Sequence, residues 1–337
     1  MKHLSRPNII AAAVLLFAAA FVAYGILRWA VVDATWSGTA DTCRANAGAC
    51  WIFIREKIGF IVFGLYPREV RWQAVASSIL IVVPAVISLI PRFWSSSLIF
   101  VWTGCLALAI MFMLGQFGTV PVDTSQWGGL PLTLLLSIVG FAGAFPAGLL
   151  LAFGRCSRMG LVRVMSTAFI EVFRGVPLIA VLYFGTLLFP LMLPGGSSID
   201  KLLRTQVAVI LFVAAYIAEI VRAGLASVPK GQSEAANALG LHWWQMQRAI
   251  ILPQALRAVI PAFVTLGIGI FLDTTLVTVI GLFDFLNTAR TAAIDADWLG
   301  FYTEGYVVVA VVYFIISYGL SRYSLWLEDY LRPAERA

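Results

Sequence analysis

Residues 206–283 read QVAVILFVAAYIAEIVRAGL, then ASVPKGQSEAANALGLHWWQMQRAIILPQALR, then AVIPAFVTLGIGIFLDTTLVTVIGLF. The outer two stretches are long and apolar enough to cross a bilayer, which takes ~20 mostly apolar residues in a helix. The middle stretch carries Lys230, Glu234, Arg248 and Arg257 and cannot cross. Two membrane helices joined by a polar, patterned connection make this an all-α polytopic membrane protein. The rest of the chain agrees. Of its 337 residues 61% are hydrophobic and 12% are charged, against ~25% charged in soluble domains. So little charge cannot cover a soluble surface of this size. Disorder demands the opposite composition.

Working outward, apolar runs at 9–27, 73–90, 94–114, 130–153, 164–188 and 306–326 join 206–225 and 258–283, giving about eight transmembrane helices. The run at 9–27 follows a basic flank, as a cleaved leader would, but it exceeds the ~7–15 residues of a leader core. It is expected to stay as a helix. Between the first two spans lies a polar loop, 33–72. Its segment Trp51 to Tyr66 is aromatic but broken by Arg55, Glu56 and Lys57, and reads as interfacial.

Charge placement orients the spans. The N-terminus, Arg92, the 155–163 and 222–257 segments and the tail hold basic residues with few acids; the outer loop 33–72 also carries five, but it is long, and long loops obey the charge rule poorly. The opposite loops hold Asp33, Asp41, Glu56, Glu69, Asp123, Asp200, Asp284, Asp295 and Asp297. Cytoplasmic loops are the Lys/Arg-rich ones, so both termini are expected in the cytoplasm. The net charge of +6 then sets topology and does not imply nucleic-acid binding. Cys43 and Cys50 fall in the outer loop, where a disulfide suits the compartment. Cys105 and Cys156 are expected to stay thiols. His3 and His242 are remote from each other and from the Cys pair, so no metal site is expected. Lysine occurs only at Lys2, Lys57, Lys201 and Lys230, none in a Walker A setting. The chain has no P-loop of its own. Composition shifts near Gln126, which suggests a three-span extension over 1–126 and a five-span core over 127–337 containing the loop 226–257.

That loop is amphipathic. Glu234 to Leu239 favours a short helix, Gly240 suits its end, and Trp243 to Leu252 forms a second helical piece that Pro253 is expected to interrupt. Its apolar residues, Ala235, Ala236, Leu239, Leu241, Ile250 and Leu252, must meet the chain's own spans, the lipid surface or another protein.

Glu234-Ala235-Ala236, three residues, Gly240, nine residues, Ile250, one residue, and Leu252-Pro253 match the EAA loop of ABC-transporter permeases at every fixed position. FIEVFRGVP at 169–177, with Asp273-Thr274-Thr275-Leu276 and VIGL at 279–282, resembles the polar amino acid branch. The extra N-terminal spans and their Cys-containing loop resemble the M-type permease of the general L-amino acid transporter. The resemblance covers roughly 130–331 and implies a type I ABC importer permease core. It implies a coupling helix at the EAA loop docked on a separate ATP-binding subunit, which carries ATP and Mg. It also implies a second homologous permease subunit and a periplasmic amino acid-binding protein. The chain itself would be a transport subunit, without catalytic residues or a cofactor. Relatives often carry Lys just before the Asp-Thr-Ser-type motif. Here that position is Leu272, so that contact is absent or replaced.

Glu171, Arg174, Glu219 and Asp273 lie at or near membrane depth, where a charge costs ~2.5–3.5 kcal/mol even on the mildest scale. They must face the protein interior or a wet cavity. Glu171 and Arg174 are three apart and can pair on one helix face, as can Glu219 and Arg222. Two readings are open: internal salt bridges near the cytoplasmic boundary, or a translocation path. On the second, Glu171, Glu219 or Asp273 would accept an ammonium, and Arg174, Thr274 or Thr275 would donate to a carboxylate. A proton-coupled secondary amino acid transporter using the same carboxylates is the rival reading. It would need no EAA loop.

Overall fold

The computed structural model describes residues 6–117, 120–192 and 199–331, with side chains from residue 11 onward. Lys2, His3, the turn at Pro194, Gly195 and Gly196, and the tail residues Arg332, Glu335 and Arg336 lie outside the described residues. The described helices are α1 (Arg6–Leu27), α2 (Trp51–Phe63), α3 (Arg71–Ser88), α4 (Ser97–Met113), α5 (Gly129–Arg155), α6 (Gly160–Gly175) and α7 (Leu178–Leu191). They continue with α8 (Lys201–Ser227), α9 (Lys230–Ala238), α10 (243–258), α11 (Ile260–Asp273), α12 (Phe285–Ala292) and α13 (Tyr302–Leu331).

Among the described residues, six helices are long and apolar enough to cross a membrane, and the pair α6 and α7 makes a seventh if it counts as one crossing. Helix α4, at 17 residues, sits at the lower limit for spanning. About eight membrane helices therefore stands. One expected span does not form as read. In place of a straight helix over 164–188, α6 ends at Gly175 and α7 leaves it at 107°. The cause is Pro177. The residue before a proline is pushed out of the α region, and Val176 is extended (φ −104°, ψ 134°).

The chain divides into two compact units. The smaller comprises 6–61 with 289–309. In it the Cys43–Cys50 disulfide closes a loop. Trp51 stacks near Trp29 and Trp36 and donates through Nε1 to the Ala30 carbonyl at 2.8 Å. The segment 295–304 is stitched to this loop and to α2. Lys57 Nζ lies 2.7 Å from Asp295 Oδ2, Arg44 donates to the Asp297 carbonyl at 2.9 Å, and the Cys50 N–H donates to buried Glu304 at 3.0 Å. Phe53 packs on Trp298 and Phe301. The Lys57 ammonium, with the Asp297 N–H, holds the Asp295 carboxyl below its usual range.

The larger unit comprises 62–288 with 310–331. Its centre is the pair α5 and α8. Small residues let membrane helices approach closely, and a Cβ on Gly148 would come within 2.6 Å of Ile217. Helices α3 and α4 pair beside them, joined by Trp102 Nε1 to Ser88 Oγ at 2.9 Å. Helix α11 tightens into a 3-10 stretch, Thr274–Ile280, and ends at Gly281 (φ +75°). Phe283–Asp284 then forms parallel bridges with Gly128 and Gly129. Asp284 is fully buried and caps α12: it accepts from Thr278 Oγ1 (2.7 Å), the Leu286 N–H (2.9 Å) and the Asn287 N–H (3.3 Å). Burial pushes its carboxyl up, against the pull of those three donors.

Candidate coupling loop and translocation cavity

The loop after α8 folds as two helices around a left-handed glycine. Pro229 starts α9, and Gly240 (φ +71°) turns the chain into α10. The two pieces close on a small core of Ala236, Met246 and Ile251, flanked by Leu225, Val228, Leu241 and Ile250. Pro253 does not interrupt the second piece. It sits one residue inside the helix Leu252–Ala258, and the five residues before it, Gln247–Ile251, form a π turn. Pro253 has no N–H and its ring crowds the carbonyl four residues back. The wider turn absorbs this, with the Leu252 N–H donating to the Gln247 carbonyl. The break falls later, at Val259, ahead of Pro261.

This arrangement sorts the motif residues. Ala236 is 1% exposed and anchors the loop on its own core. Leu252 and Ile250 are half-buried. Glu234, Ala235, Gly240 and Pro253 are exposed. Beside them stands an apolar face outside the motif: Leu239, 78% exposed, with Trp243 and Trp244. Both indoles lie against Phe153 at the end of α5, with ring centroids 6.0 and 6.3 Å away.

Three of the four membrane charges, Glu171, Arg174 and Glu219, form one cluster where α5, α6 and α8 meet, and the fourth, Asp273, lines the cavity described below. The cluster's centre is Arg155. One guanidinium nitrogen lies 3.0 Å from Glu171 on α6, and the other 3.2 Å from Glu219 on α8. Arg222 holds the other Glu219 oxygen at 2.6 Å, and Arg174 stands 3.6 Å from Glu219. Glu219 and Arg222 therefore pair as expected. Glu171 and Arg174 do not pair with each other. Glu171 instead takes one nitrogen of Arg155, from a neighbouring helix, in a charge-assisted contact. Arg155 had been legible only as a topology signal. Its role depends on α6 lying across the ends of α5 and α8, which the bend at Pro177 produces.

Above this cluster lies a cavity of ≈ 170 Å³, mostly apolar, whose lining includes Leu136, Leu182, Tyr216, Asp273 and Thr274. The Arg174 guanidinium sits over the Tyr216 ring at 6.0 Å. Thr274 and Thr275 donate their hydroxyl protons to carbonyls of their own helix, Phe271 and Leu272. Thr274 lines the cavity, and Thr275 is not among its lining residues.

Residues 144–333 fit the family model described as binding-protein-dependent transport system inner membrane component. The chain belongs to this family. It is 46% identical over 310 residues to the inner membrane amino-acid ABC transporter permease protein YhdY of Escherichia coli (strain K12), covering 90% of this chain and 83% of that one. It is 36% identical to the glutamate/glutamine/aspartate/asparagine transport system permease protein BztC of Rhodobacter capsulatus, covering 91% and 86%. A crystal structure of an amino acid ABC transporter with histidines superposes with a TM-score of 0.54 at 29% identity, over 60% of this chain and 91% of that one. Within the family of inner membrane components the chain groups with the amino-acid ABC permeases. It is a multi-pass inner membrane transport subunit, in a family whose members are not themselves enzymes.

Proposed function

We propose that the chain is one permease subunit of an ATP-driven importer of polar or general L-amino acids. A separate ATP-binding subunit, which holds ATP and Mg, docks on the loop 226–257. A second homologous permease completes the membrane part, and a periplasmic amino acid-binding protein delivers the solute. Both termini are cytoplasmic. The span-rich region 1–126 is an extension of the core 127–337. Supporting that division, the glutamate/aspartate import permease protein GltK of Escherichia coli aligns with 57% of this chain but over 87% of its own length.

The observation that carries the reading is the loop. Its apolar side is already satisfied by the chain's own core through Ala236, yet Glu234, Leu239, Trp243 and Trp244 remain exposed. An amphipathic helix seats such a face in a groove on another protein. ATP binding closes the ATPase pair, the loops move with it, and the cavity alternates between inward and outward access. Glu171, Arg174, Glu219, Asp273, Thr274 and Thr275 line or guard the path. Asp273 and the Thr274 oxygen face the ammonium, and Arg174 faces the carboxylate.

The test uses the assembled transporter in proteoliposomes. Glu234→Lys, or Gly240→Val, is expected to leave insertion intact while uptake is lost and ATP hydrolysis no longer responds to loaded binding protein. Normal uptake in both variants sinks the assignment. Uptake that survives ATP depletion and collapses with the proton gradient favours proton coupling instead.

A further inference from the structure

The last turn of α5 faces two ways. Phe153 and Arg155 are two residues apart, a spacing that puts side chains on different sides of a helix. Phe153 meets Trp243 and Trp244 of the coupling loop. Arg155 meets Glu171 and Glu219. A second tie runs beside it. Gly224 on α8 admits the backbone of α10 so closely that a Cβ there would lie 2.6 Å from the Ala255 carbonyl. Whatever moves α10 therefore bears on the ends of both α5 and α8.

The ion cluster continues the line to the cavity. Arg155 joins three helices through one rigid fork, because its two terminal nitrogens hold carboxylates on α6 and α8. Glu219 in turn faces Arg174 on α6, and Arg174 covers Tyr216, a wall residue of the cavity. The links to Glu219 are unequal: 2.6 Å to Arg222 within α8, 3.2 Å to Arg155, and 3.6 Å to Arg174. The long link is the one that yields when α6 shifts against α8. Glu219 is still matched by two arginines when it does, so opening leaves no unpaired carboxylate at membrane depth.

We propose that Arg155 is a positioning residue that transmits coupling-loop movement to the cavity wall, with Glu171 and Glu219 as its two seats and Arg174–Glu219 as the contact that opens. This rests on the importer reading above. A contiguous network of two-position contacts is the physical form such coupling takes.

The experiment measures solute moved per ATP hydrolysed in the reconstituted full transporter, with the amount of assembled complex measured alongside. Arg155→Lys keeps the charge but replaces the rigid two-nitrogen fork with a single nitrogen on a flexible stem. Glu171→Gln removes one seat at a half-exposed position. Both are expected to lower uptake per ATP about tenfold, within the range coupling free energies produce, with hydrolysis and assembly retained. The double swap Arg155→Glu with Glu171→Arg restores one arm, and part of the coupling. An unchanged ratio in both single variants overturns the proposal. So does a parallel loss of uptake, hydrolysis and assembly in both, which is a purely structural role. If Arg155→Lys fails to assemble, the double swap decides: a ratio above that of Arg155→Glu alone supports the proposal, and no recovery overturns it. A wild-type complex without ATP-driven uptake overturns the importer reading itself.

Discussion

Gly129 and Gly240 share a left-handed backbone, with φ of +66° and +71°, but a methyl group at each meets different surroundings. At Gly240 nothing lies within 4 Å. Alanine there bears only the conformational cost, ~1 kcal/mol. At Gly129 the added carbon would collide with the Val62 carbonyl, so overpacking of ~1–3 kcal/mol adds to the same cost. The expected order in a thermal melt of the purified protein is a drop of roughly 2–4 °C for Gly240→Ala and about three times that for Gly129→Ala. Equal drops would show that the close approach at Gly129 relaxes freely. Only one of these positions was legible in the sequence. Gly240 sits in a recognisable motif. Gly129 depends on Val62, sixty-odd positions away, and no local pattern encodes that meeting. The same holds for Arg155, whose two carboxylates lie on other helices, while Glu219 and Arg222 were legible because helical spacing alone brings them together.

At the scale of elements, the two prolines divide the readings. Pro177 and Pro253 have the same local chemistry. At Pro177 the chain bends by 107°. At Pro253 a π turn takes up the missing hydrogen bond and the helix runs on. Propensity predicts disruption at both. Packing chooses the form: Met246, just before the π turn, and Ile251, its last residue, share a core with Ala236. The segment 295–304 was legible only as an acidic outer loop. Its partners Lys57, Arg44 and Cys50 are more than two hundred residues distant. The Asp295–Lys57 tie carries a pH prediction. A carboxyl depressed in the folded state contributes stability above its ordinary pKa and loses it as pH falls through the lower, folded value. Hydrogen exchange over 295–300, corrected for intrinsic rates, is therefore expected to be slowest at neutral pH and to quicken progressively as pH falls from the ordinary carboxylate range toward the lower, folded value. Asp295→Asn should be faster at neutral pH already and lack that dependence. A wild-type profile that matches Asp295→Asn would refute the tie.

For the molecule as a whole, hydrophobic runs revealed the number of membrane helices, since apolar length is a local property of the chain. Orientation rests on a subtler signal, the Lys/Arg imbalance between alternate loops. The native cysteines test it without any substitution. Cys156 is an exposed thiol at the foot of α5 and is cytoplasmic on the proposed topology. Cys105 is a half-buried thiol within α4. Cys43 and Cys50 are bonded to each other in the outer loop. In intact cells a membrane-impermeant maleimide should therefore leave the protein unlabelled. The bonded pair is buried, so it is counted after unfolding: denatured protein should take two more labels with reduction than without it. In inside-out vesicles without reduction the maleimide should add one, at Cys156. Labelling of Cys156 from outside would invert every loop and place the coupling face on the wrong side of the membrane for an ATPase. Labelling of Cys43 or Cys50 without reduction would show an open pair, and the N–H that Cys50 gives to Glu304 would lose the closed loop that presents it.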